Sequence, residues 1–159
     1  MRGPSWLAAG AAMAAGVAAI VVFWPENADP GALLRPDHAP TVARGEALYE
    51  ANCASCHGIS LKGEPDWQTR RPDGLMPAPP HDETGHTWHH PDRVLFDITK
   101  YGVARAANID GYQSAMPDYE GVLTDAEIIA VLSYIKSTWP AEIRQGHDEL
   151  NRRYAGRAQ

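Results

Sequence analysis

The stretch Cys53-Ala54-Ser55-Cys56-His57 constrains this chain more than any other feature, because two thiols three residues apart are followed at once by an imidazole. At a helix end both thiols lie on one side of the chain, where each adds to a vinyl group of a porphyrin. The adjoining imidazole reaches the iron of the same group from its proximal face. A chain built on this motif folds around a flat apolar ring. Two other uses of paired cysteines fit less well. A thioredoxin-like pair follows a strand and opens a helix, whereas Cys53 follows the helical-looking run from Val42 to Ala51. A structural zinc site takes about four ligands, and there is no second cysteine pair to complete one. Cys53 and Cys56 are the only cysteines, so haem attachment consumes both and leaves none for a disulfide.

The net charge of −6 argues against a general nucleic-acid-binding surface. No repeat, P-loop or dinucleotide fingerprint is evident in the chain. Leu7 to Trp24 is a run of 18 residues without a charge. As a helix it spans roughly 27 Å, close to a hydrocarbon thickness of about 30 Å. Trp6 and Trp24 bracket it as interfacial aromatics do, with Arg2 and the terminal amine before it and Glu26 and Asp29 after. Positive-inside logic predicts a single-pass helix over residues 1–24, its N-terminus in the cytoplasm and the remainder outside. The competing reading is a cleaved signal peptide, since the run is alanine-rich, but Pro25, Glu26 and Asn27 follow it without a small-x-small site. Either outcome exports the domain.

Residues 25–40 carry Pro25, Pro30, Pro36 and Pro40, a density that blocks a regular helix or central strand and predicts a tether. Fully extended, it reaches roughly 50 Å. The alternative is that this segment packs on the domain through Leu33 and Leu34.

Helical spacing then predicts a domain over residues 41–139. A first helix starts near Thr41 as N-cap and runs through Ala43, Ala47, Leu48 and Ala51 into the cysteine motif. Pro91-Asp92 opens a second through Val94, Leu95, Ile98 and Tyr101, with Gly102 as its C-cap. Thr124 and Glu127 make a capping box for a third through Ile128, Val131, Leu132 and Ile135, which Pro140 prevents from continuing. The Gly- and Pro-rich loops between them leave little room for a sheet, so the predicted fold is all-α.

In this order of elements the chain resembles a class I cytochrome c. Cys53, Cys56 and His57 stand at the end of the first helix. Gly45 and Tyr49 resemble the small and aromatic contact positions where that helix crosses the last one near Tyr134. Ser114-Ala115-Met116-Pro117 precedes the capped helix as the family's sixth-ligand methionine does. The resemblance implies one covalent haem c, with thioethers at Cys53 and Cys56 and iron ligands at His57 and Met116.

Met116 also has a chemical case. A thioether is a soft, uncharged ligand that favours ferrous iron and raises the potential. Of the four methionines, Met1 starts the chain, Met13 lies in the apolar run, and Met76 sits in a loop only 19 residues after His57. Met76 reads as packing at the haem edge, with ligation as the lesser alternative.

The loop from Gly58 to His90 is long for a compact domain, and the resemblance implies that it wraps the porphyrin edge. Trp67, Trp88, Arg70 and Arg71 are candidate donors to the propionates. His81, His86, His89 and His90 leave open a second metal, copper or zinc, beside hydrogen bonding, capping and plain exposure.

Residues 140–159 extend beyond a minimal haem domain. Ile143, Leu150 and Tyr154 punctuate a polar run there, which predicts a surface helix, with Trp139 anchoring its start.

The function expected from these features is one-electron transfer by a membrane-tethered carrier, not an enzyme, on the periplasmic side of a bacterial inner membrane in a respiratory or related chain. The resemblance implies a bc1 complex as donor and a terminal oxidase or another periplasmic redox enzyme as acceptor. A haem subunit dedicated to one dehydrogenase or oxidase is the second reading. An open-site haem enzyme or sensor is the third.

Overall fold

A computed structural model describes residues 32–157 and places six α-helices and one 3-10 turn among them. The described residues contain no strand. The run Leu7 to Trp24, expected as a transmembrane helix, lies outside them, as do tether residues 25–31. Among the described residues no helix is long and apolar enough to cross a membrane.

Helix α1 covers Ala39–Asn52. It starts two residues before the expected Thr41, with His38 at the N-cap. Proline is pre-set for a first helical turn and its missing N–H costs nothing there, so Pro40 is absorbed into the helix instead of ending the tether. Thr41 Oγ1 instead meets His38 Nδ1 at 2.7 Å. The buried face of α1 is Gly45, Leu48 and Tyr49, one helical turn.

Helix α2, Ala54–His57, is the single turn that carries the motif's second thiol and its imidazole. After a 3-10 turn at Thr87–His89 comes α3, Asp92–Tyr101, which begins after Pro91 and ends at Gly102 as its pattern predicts. A short α4 at Val103–Ala107, unforeseen from the sequence, leads into the Met116 loop.

Helix α5, Asp125–Ser137, carries the predicted capping box in full. Thr124 Oγ1 accepts from the Glu127 N–H at 3.3 Å, and Glu127 Oε2 accepts from the Thr124 N–H at 3.0 Å. This helix supplies the centre of the core with Ile128, Val131, Leu132 and Ile135. Ile128 is wholly buried, which contributes about 1.5–3 kcal/mol.

Helices α1 and α5 cross where Gly45 faces Ala130, and a Cβ on Gly45 would sit 1.9 Å from the Ala130 carbonyl oxygen. Only glycine lets the two backbones approach this closely. Beside the crossing, the Tyr49 and Tyr134 rings lie 5.5 Å apart.

Helix α6, Ala141–Ala155, follows Pro140 and packs on the 3-10 turn. Its anchoring differs from the expected apolar points. Ile143 and Leu150 are half-buried and Tyr154 is exposed, while the fully buried positions are His147 and Asn151, one turn apart.

Asp92 is the hub that holds this side together. Its Oδ2 accepts from the Leu33 and Leu34 N–H groups at 2.8 and 3.0 Å. Its Oδ1 accepts from Asn151 Nδ2 at 2.9 Å, and its own N–H donates to Asn151 Oδ1 at 2.8 Å. Leu34 is buried in the core, so the described end of the proline-rich segment lies on the domain.

Candidate functional site

The three motif side chains differ in exposure: His57 is buried, Cys53 half-buried and Cys56 exposed. His57 Nδ1 lies 2.9 Å from the Pro79 carbonyl oxygen. A carbonyl only accepts, so Nδ1 carries the hydrogen and Nε2 keeps its lone pair. Burial holds the imidazole below its usual value of 6.5, against the opposing effects of the Pro79 bond and of Glu64. The ring is therefore neutral at pH 7, the form that ligates a metal.

Backbone stitching puts the Pro79 carbonyl in place. The Gly63 N–H donates to the His57 carbonyl at 2.8 Å, Glu64 N–H to Ala78 O at 2.9 Å, and His81 N–H to Leu61 O at 2.7 Å. Gly63 has φ of 66°, and a Cβ there would come within 2.5 Å of the Ala78 oxygen. The turn after His57 can thus lie directly against the Ala78-Pro79-Pro80 segment only with glycine at this position.

Tyr49 and Tyr119 frame the cysteine end. Tyr49 donates to the Gly58 carbonyl at 2.8 Å. Tyr119 donates to the Asn52 carbonyl at 2.7 Å, and burial pushes its hydroxyl up to about 12. Burial likewise pushes the Cys53 thiol up to about 11. Tyr119 lies three residues after Met116, so this bond holds the methionine loop against the helix end that carries Cys53. Met116 itself is half-buried against the core, in a bend where its N–H meets Ser114 Oγ at 3.1 Å.

These residues fit a haem. A neutral imidazole with a free Nε2 and a soft thioether suit the iron, and two thiols suit the vinyl groups. The segments that bear them also leave apolar side chains uncovered: Ile59 is 64% exposed, Ile109 49% and Val122 66%.

The four loop histidines do not converge. His81 stacks on His57 with centroids 4.0 Å apart, His86 on Trp67 at 5.2 Å and His89 on Trp88 at 3.7 Å, while His90 meets the His86 ring edge-on at 5.5 Å. Among the described residues no three His, Cys, Asp or Glu side chains form a group that could hold a metal ion. Of the candidate propionate donors, Arg70 donates to the Gly74 carbonyl at 2.7 Å and Arg71 to Glu64 at 3.3 Å. Trp88 Nε1 and Arg71 Nε are buried without a hydrogen-bond partner.

Sequence reasoning missed Pro79, Tyr119 and the His81 stack. The first acts through its carbonyl, which every residue has, and the other two act through contacts distant in sequence.

Comparison with known proteins bears on the family of the chain. The cytochrome c family model matches residues 42–139. Cytochrome c-555 of Prosthecochloris aestuarii is 42% identical over 40 residues, which are 21% of this chain and 40% of that protein. The chain thus spans about two fifths of the length of the curated relative it matches. No solved structure matches the chain. The match over residues 42–139, together with the C-x-x-C-H motif, shows that this chain belongs to the cytochrome c family, electron carriers with covalently bound haem c.

Proposed function

We propose that this cytochrome is a membrane-tethered monohaem carrier whose haem domain stands on the periplasmic side of a bacterial inner membrane. Cys53 and Cys56 form the thioethers, and His57 and Met116 ligate the iron. The observation that carries the ligation is the Tyr119 bond to Asn52, which holds the loop bearing Met116, ahead of α5, against the cysteine end of α1.

Bound haem c supplies a one-electron couple, with no substrate bond made or broken. The protein's part is to keep that couple closed and rigid. The Pro79 carbonyl orients His57, the Tyr119 bond restrains the Met116 loop, and two protein ligands leave oxygen or peroxide no coordination site. The run Leu7 to Trp24 supports tethering, and its charge flanks support the outward orientation. A bc1 complex as donor and a terminal oxidase or other periplasmic enzyme as acceptor fit such a carrier.

The test is Met116→Ala. It should keep covalent haem, lose the thioether-to-iron absorption of the oxidised protein and lower the reduction potential. Retention of both signatures would place the sixth ligand elsewhere, and Met76→Leu then identifies the rival. Tethering is tested by fractionation, in which the full chain stays with salt-washed membranes and a chain whose residues 1–24 are exchanged for a cleavable signal peptide does not.

One observation favours service to a single enzyme. Helix α6 lies beyond the matched residues and, with Trp88 and His89, lines an open groove through Ile143, Gly146 and Leu150. A complex that survives purification would select that reading over a free shuttle.

A further inference from the structure

We infer that His81 is a positioning residue for His57, whose stacked ring sets the rotation of the His57 imidazole about its iron-facing axis and thereby tunes the electronic asymmetry and potential of the iron. The inference rests on His57 being the proximal ligand.

The hydrogen bond to Pro79 orients the ring, but one such bond tolerates bending at the donor and acceptor, so it limits the roll of the ring plane only loosely. The His81 ring supplies the missing stop. The two planes are 22° from parallel with centroids 4.0 Å apart. His81 is itself held from several sides. Its N–H donates to Leu61 O at 2.7 Å, and its carbonyl accepts from Trp139 Nε1 at 2.7 Å. Its Nδ1 meets Thr87 Oγ1 at 2.8 Å, and the Tyr49 ring stands edge-on to it at 6.3 Å. Thr87 donates in turn to the Pro80 carbonyl at 3.4 Å, so its oxygen is left to accept from His81.

An axial imidazole shares π density with whichever iron d orbital its plane selects, so ring rotation is visible in the ferric state. A residue that fixes the plane of a ligand tunes the metal without touching it.

The test compares His81→Leu, His81→Phe and Thr87→Val in the haem-loaded protein by ferric EPR, haem-methyl NMR shifts and voltammetry. His81→Leu should change the g-values, alter the spread of the methyl shifts and shift the potential, with thioether absorption retained. His81→Phe, which keeps a flat ring, should restore the wild-type g-values. Thr87→Val keeps the His81 ring but frees it, and should give a smaller change in the same direction, which serves if His81→Leu does not fold. Wild-type g-values and methyl shifts in both His81→Leu and Thr87→Val would overturn the inference. So would a His81→Phe protein that resembles His81→Leu. Failure of the ligation reading is separately visible, since wild-type protein would then lack the hyperfine-shifted ring protons of His57, and both ideas would fall.

Discussion

The Tyr119 hydroxyl donates to the carbonyl oxygen of Asn52 across 67 positions of sequence, at 2.7 Å. Asn52 is the last residue of α1 and Cys53 follows it, so a residue of the methionine loop is bonded to the backbone at the haem attachment point. The same loop is tied from behind, where the Tyr119 N–H meets the Thr99 and Lys100 carbonyls at 3.2 Å. Removing the hydroxyl should therefore loosen Met116 without dismantling the fold. Tyr119→Phe is expected to cost about 1 kcal/mol of stability and to let added imidazole displace methionine at lower concentration. Titration followed by loss of the thioether absorption measures it.

The α1–α5 crossing makes a sharper prediction. Because a Cβ on Gly45 would lie 1.9 Å from the Ala130 oxygen, the helices must separate to admit even one methyl group. Gly45→Ala should destabilise the protein by about 3 kcal/mol or more, despite alanine's higher helix propensity. Denaturant unfolding of the two proteins decides it, and equal midpoints would show that the helices do not meet here.

Asp92 joins three segments through one carboxylate. Truncation to alanine strands the Leu33, Leu34 and Asn151 donors, and removes a charge 3.9 Å from the buried Lys136 ammonium. Lys136 keeps Asp148 at 2.5 Å, which limits the loss. Asp92→Ala should cost about 3 kcal/mol or more, and should expose the proline-rich segment to protease while the iron ligation spectrum stays as in the wild type.

His147 predicts how stability varies with pH. Its Nε2 donates to the His90 carbonyl at 2.8 Å, and its Nδ1 faces Asp92 Oδ1 at 3.6 Å without a hydrogen bond. Burial, then the Lys136 ammonium, lowers its affinity for a proton, with Asp92 and Asp148 opposing. In the folded protein it titrates below the usual 6.5, so as pH falls through that value the unfolded chain binds a proton that the folded chain does not. Stability is therefore lost on acidification, at up to about 1.4 kcal/mol per pH unit for this one group. His90 and His86, also lowered by burial, contribute with the same sign. His147→Gln, which keeps a donor for the His90 carbonyl, should flatten the decline between pH 7 and 5. Urea midpoints at both pH values test it.

Much of the fold was readable because its signals are local. The Thr124 capping box, Pro91 before α3 and Gly102 after it depend on residues within a few positions of one another, and all three stand as read. The start of α1 is not legible locally, because Pro40 suits both a tether and a first helical turn, and the folded chain takes the second. Helix α6 was legible as a helix, but its buried face was not. His147 and Asn151 look like surface residues until Asp92, Lys136 and the His90 carbonyl supply partners for them.

The covalent haem motif, the methionine ahead of a capped helix and the apolar run from Leu7 to Trp24 are legible in the chain alone, since each is written in adjacent residues whose chemistry acts at short range. What orients the haem-binding groups emerges with packing: the Pro79 carbonyl on His57, the His81 ring against its face, and the Tyr119 hydroxyl at the cysteine end. The reason is physical. A backbone carbonyl, a stacked ring and a hydrogen bond spanning 67 positions exist only after chain segments distant in sequence have packed together, so no local pattern announces them.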